Sequence, residues 1–123
     1  MITGIVNSAL EATLTLLVRD ANRLTQPIDV VIDTGFNGFL TLPPAQIASL
    51  GATWLYRGQG VLADGSVQSF DVYMATVMWD SQPRTVEVES VDATPLIGMA
   101  LLHKQELRIE IVRGGAVLLI PLP

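Results

Sequence analysis

The chain has 123 residues, half of them hydrophobic and 15% charged, with a formal net charge of −5 and no cysteine. That length carries one domain with a real core. The acidic balance argues against a phosphate backbone as the main partner, and the missing thiols exclude disulfides and thiolate metal sites.

In chain order, Leu10, Ala12, Leu14, Leu16 and Val18 alternate with Glu11, Thr13 and Thr15, which predicts a half-buried strand. After a turn at Asp20-Ala21-Asn22, the β-branched run Pro27-Ile28-Asp29-Val30-Val31-Ile32 predicts a second strand that ends at Asp33. Thr34 to Gly38 form a glycine-bearing loop, and Phe39-Leu40-Thr41-Leu42 a short strand. A helix is predicted to open at Pro43-Pro44 and stop at Gly51. Thr53 to Gly60 fits either strand or loop. Asp64-Gly65, between Val61-Leu62 and Val67, predicts a hairpin, because both central positions tolerate positive φ.

A further turn falls at Asp80-Ser81-Gln82-Pro83, followed by Val86 and Val88 alternating with Glu87 and Glu89. Pro95-Leu96-Ile97-Gly98 leads into a short helical pattern from Met99 to about Lys104. Leu107, Ile109 and Ile111 then alternate with Arg108 and Glu110, Gly114-Gly115 marks a turn, and Ala116 to Leu122 predicts the last strand. The sum is an all-β domain spanning residues 1–123, a closed or nearly closed barrel with two short helices.

The N-terminus, Met1-Ile2-Thr3-Gly4, has neither the charged segment nor the long apolar core of a secretion signal. No apolar run approaches a membrane span. A cytoplasmic protein with no membrane partner is the expectation.

Asp33 is the main candidate for chemistry, because a carboxylate delivered where a strand opens into a loop is well placed to act as acid or base. The competing reading is a turn or capping aspartate in an ordinary barrel. Asp64 fits a hairpin residue better than a substrate contact, because Asp-Gly is what the turn requires. Phe36 and Phe39 fit either a pocket wall or the core. His103, the single histidine, has no second ligand for a metal and is expected exposed at a helix end. Glu87, Glu89 and Glu110 read as solvated strand-face acids. No phosphate-binding glycine loop is present, and no metal or cofactor is expected.

From Ile28 to Leu119 the chain presents strand, Asp33-Thr34-Gly35-Phe36, Leu42-Pro43, a central Asp-Gly hairpin, then Leu96-Ile97-Gly98 before Leu101-Leu102. This ordered set resembles the retropepsin-like aspartic proteases, and its Asp-Thr-Gly-Phe form is similar to their single-domain microbial branch. The resemblance implies a homodimeric endopeptidase, since the chain holds a single triplet and the second aspartate must come from another copy. Asp33 would be the catalytic residue. Thr34 would interlock with the opposite subunit, and Gly35 would let substrate backbone approach. Leu96, Ile97 and Gly98 would pack beneath the active-site loop. Phe36, Leu62, Ala63, Asp64, Gly65 and Ser66 would meet the polypeptide substrate, the last four as the flap tip, with Thr53 to Gly60 as its approach strand. Leu62, Val67 and Ile97 would line specificity pockets, and Ala116 to Leu122 would form the dimer seam.

The pattern departs from retroviral members where an acid and an arginine brace the dimer, because those positions hold Asn37 and Met99. The alternative from another functional class is a catalytically silent module of the same fold that binds peptides or assembles complexes without cutting.

Overall fold

A computed structural model describes every residue from Met1 to Pro123. Alternation decides the strands. In β2 (Ala12–Arg19), Leu14, Leu16 and Val18 face inward, opposite Val30 and Ile28 of β3 (Thr25–Ile32). The outer face of the same pair is polar, with the Thr15 hydroxyl donating to Asp29 Oδ1 at 2.8 Å. Each fully buried Leu or Val contributes about 1.5–3 kcal/mol relative to exposure. The strand begins later than expected because Leu10 sits in a left-handed turn, at φ 61, and stays outside the sheet.

Beyond β1 (Ile2–Val6), the remaining elements are β4 (Leu40–Leu42), α1 (Pro44–Leu50), β5 (Thr53–Val61), β6 (Val67–Trp79), β7 (Gln82–Ser90), β8 (Leu96–Ile97), α2 (Met99–Leu102), β9 (Gln105–Ile109) and β10 (Ala116–Pro121). All ten strands join one sheet, ordered β5-β6-β7-β4-β8-β3-β2-β1-β10-β9, and β6 also pairs with β2. That extra pairing closes β6, β7, β4, β8, β3 and β2 into a barrel, leaving two arms. One arm is the β5–β6 ribbon, made possible by the 13-residue length of β6. The other is β1-β10-β9.

The core fills the barrel with 18 residues, Leu40, Val77, Val88, Ile97 and Leu101 among the most buried. α1 plugs one end through Ile47 and Leu50, with Pro44 in its first turn and Gly51 ending it at φ 63. α2 is a single turn that His103 closes, exposed as expected. No helix is long and apolar enough to cross a membrane.

Two local expectations need correction. Asp64-Gly65 does not form the tight pair with positive φ at both positions; only Gly65 is left-handed, at φ 85. The loop is Ala63-Asp64-Gly65, closed by Leu62 N–H to the Ser66 carbonyl at 2.8 Å and Gly65 N–H to the Leu62 carbonyl at 2.9 Å. The doubly left-handed turn occurs instead at Asp80 and Ser81, φ 50 and 67, between Trp79 and Gln82. β10 is not a free seam, because β1 and β9 of the same chain occupy both of its edges.

Candidate active site

β3 and β8 run parallel, with Val31 beside Leu96 and Ile32 beside Ile97, so Asp33 emerges at the end of both. β4 pairs with the other side of β8, which places that short strand between the two chain segments flanking the Asp33 loop. The loop backbone is then tied down. Asp33 N–H donates to the Ile97 carbonyl at 3.0 Å, and Gly98 N–H to the Phe39 carbonyl at 3.1 Å. Met99 N–H reaches the Phe36 carbonyl at 2.8 Å, and Ala100 N–H the Gly38 carbonyl at 3.2 Å. Below them Thr41, the one buried polar side chain, accepts Leu96 N–H at 3.1 Å.

Gly98 is required by this crossing. A Cβ there would stand 2.5 Å from the Gly38 oxygen and 2.6 Å from the Phe36 oxygen, both backbone atoms that cannot step aside. The Phe36 ring wedges into the same place, since a Cβ on Gly38 would meet its Cζ at 2.5 Å. Phe36 is half-buried, packs under the loop, and does not line the adjoining cavity.

Asp33 itself is half-buried, and its Oδ1 accepts Gly35 N–H at 2.8 Å. Thr34, Gly35, Asn37 and Met99 nearby are exposed and uncharged. Leu96 is half-buried, whereas Ile97 and Gly98 lie beneath the loop, buried. Ile97 has no exposed surface and lines no pocket. Leu62, Ala63, Asp64, Gly65 and Ser66 form the exposed tip of the β5–β6 ribbon, and Thr53 to Gly60 is strand. The Ser66 hydroxyl, then its N–H, hydrogen-bond Asp64 and hold its carboxyl below the usual range.

Between the Asp33 loop and the base of that ribbon lies a cavity of about 400 Å³. Four of its lining residues, Tyr56, Phe70, Glu87 and Glu89, are not marked as site residues by the sequence. Glu87 and Glu89 alternate like any solvated strand face, and the ribbon that supplies Tyr56 and Phe70 to the same cavity comes from elsewhere in the chain. Tyr56 and Glu89 align with buried Val72 in one row across β5, β6 and β7. Burial, then the charge of Glu87, raises the Glu89 carboxyl above its ordinary range. The Tyr56 hydroxyl donates to Glu87 Oε1 at 3.0 Å, and that bond leads the upward shift of the phenol.

No family model matches the chain, and no curated protein matches it in sequence. In structure it is similar to a retropepsin-like aspartic protease from Rickettsia conorii, at 17% identity and a TM-score of 0.61, covering 99% of this chain and 91% of that one. With a parallel β3–β8 pair delivering Asp33 and a hairpin ribbon beside it, the fold of this chain is retropepsin-like.

Proposed function

We propose that the chain is an aspartic endopeptidase that works as a homodimer on an extended polypeptide. The observation that carries this is the mounting of Asp33: half-buried at a strand end, fixed by the Ile97 carbonyl and Gly35 N–H, in a loop whose neighbours are exposed and uncharged. A second copy placed against this loop brings a second Asp33 close enough to share a proton. Two carboxyls about 3 Å apart cannot both ionise comfortably, a general property of aspartic-protease pairs. The pair therefore titrates as one unit.

The ionised carboxylate takes a proton from water as the water oxygen bonds to the peptide carbonyl carbon. The neutral carboxyl gives its proton to the carbonyl oxygen. The tetrahedral gem-diol then breaks its C–N bond as the protonated carboxyl gives its proton to nitrogen. The other carboxylate takes one from a gem-diol hydroxyl, so the pair again holds one proton. Gly35 leaves space above Asp33 for substrate backbone, and the ribbon tip closes over it.

Since β10 is paired on both sides, the copies meet at the Asp33 loops and at a free sheet edge. The free edges are β5, which belongs to the ribbon, and β9. Joining through β9 leaves the ribbon free to open, and exposed Ile109, Ile111 and Val112 lie at that end.

The test is cleavage of a diverse peptide library from about pH 4 to pH 7, a span chosen for a shared-proton pair, with wild type beside Asp33→Asn and solution mass measured on the same samples. Cuts present only in wild type, from a dimer, are the expected result. A persistent monomer, or identical cuts from both proteins, ends the proposal. A dimer that binds peptides and cuts none favours the silent module.

A further inference from the structure

The cavity beside the Asp33 loop has a chemistry of its own. Asn37 and Phe39 form one wall, Tyr56 and Phe70 the ribbon side, and Glu87 and Glu89 of β7 supply its charge. None of Asp33, Thr34 and Gly35 lines it, so the cavity lies beside the triplet and not over it. Glu89 leans across the space toward the loop: its Oε2 lies 3.0 Å from where a Cβ on Gly38 would stand. Glu87 is oriented from the other side by the Tyr56 hydroxyl.

Neither Glu87 nor Glu89 is in an ion pair; those present are Met1 with Asp80, Arg57 with Asp71, and Arg108 with Glu106. The nearby Arg84 is committed elsewhere, its guanidinium over the Phe39 ring and donating to the Ala100 and Leu101 carbonyls. Two uncompensated carboxylates walled by aromatic rings match one kind of side chain, with an apolar stem and a cationic head. Ring faces accept the stem and attract the charge, while the carboxylates take its N–H donors.

We propose that this cavity is a specificity subsite that takes an arginine or lysine side chain of the bound polypeptide, at a position removed from the scissile bond, with Glu87 and Glu89 as its counter-charges. The proposal rests on the reading of this groove as a polypeptide site.

The test measures binding, not turnover, on the Asp33→Asn protein. Apolar octapeptides carry arginine at one scanned position, or citrulline, which keeps the shape and removes the charge. At one position arginine should bind about 10-fold more tightly than citrulline. That preference should vanish in the Glu87→Gln/Glu89→Gln variant, with circular dichroism verifying its fold. If the double variant does not fold, Glu89→Gln alone should show a several-fold loss of preference.

Equal affinities at every position, binding of neither peptide, or a preference that survives the glutamines overturns the subsite. The two readings fail separately. Cleavage by wild type without an arginine preference removes the subsite and leaves the peptidase. An arginine preference in a protein that cuts nothing removes the peptidase and leaves the subsite.

Discussion

The Asp33 loop and the Asp64 hairpin are built on the same local device. In each, an aspartate Oδ1 accepts the backbone N–H two residues on, Gly35 at 2.8 Å in one and Ser66 at 2.9 Å in the other. Their surroundings differ completely. The Asp33 loop is bonded to β8 and α2 along its length and wedged by Phe36 against Gly98. The hairpin bonds only to itself at its tip, and its flanking Val61 and Val67 are 75% and 62% exposed. Identical turn chemistry thus yields one rigid mount and one element with little to anchor it. What separates them is the packing that other segments supply.

The sharpest way to break this comparison is to make the same substitution in both turns. Asp33→Asn should lower peptide cleavage by roughly 10⁴-fold or more, since it removes both halves of the acid–base pair. Asp64→Asn should change it by less than about 10-fold, because an amide oxygen still accepts the turn hydrogen bond. Comparable losses of kcat/KM from both would mean that the hairpin takes part in the chemistry.

A second contrast lies in the glycines. Gly98→Ala should destabilise by roughly 3 kcal/mol in urea unfolding, because its Cβ meets two backbone oxygens. Gly65→Ala has open space around it and carries only the strain of its positive φ, about 1 kcal/mol. Equal costs would show that the Asp33 loop is less rigid than its bonding implies.

Smaller effects test the ribbon. Val61→Ser should leave stability within about 0.5 kcal/mol, as for exposed sites generally. It should nonetheless raise KM a few-fold in steady-state kinetics, with kcat little changed. A large loss of stability would show that the valine packs in solution against something.

The smallest effect concerns pH. Burial, then Glu87, raises the Glu89 carboxyl, so the folded state favours its protonated form. That contribution is complete below the ordinary glutamate pKa and is lost as pH rises through the raised value. Glu89→Gln should therefore raise Tm by about 1–2 °C at pH 7, a modest gain because the side chain is only half-buried and solvent screens it. The gain should fade toward about pH 4. A destabilised variant at pH 7 would mean that the charge is compensated.

Much of this molecule is legible in its amino-acid sequence. Period-two alternation is set by backbone geometry, so β2 and β7 can be read directly, and the β-branched run of β3 marks it and the Asp33 at its end. Pro44 and Gly51 bracket α1 because their φ preferences are their own. The sequence does not show that β10 lies between β1 and β9, that Asp80-Ser81 adopts the doubly left-handed turn without a glycine, or that Phe36 packs under its loop. Nor does it separate Glu87 and Glu89 from any other solvated acids. Strand period, turn preference and the identity of a strand-end carboxylate are local properties of a few adjacent residues. Which edge is left free, and which carboxylates share a cavity with a ribbon, depend on pairings between segments far apart in the chain, and only the folded structure decides them.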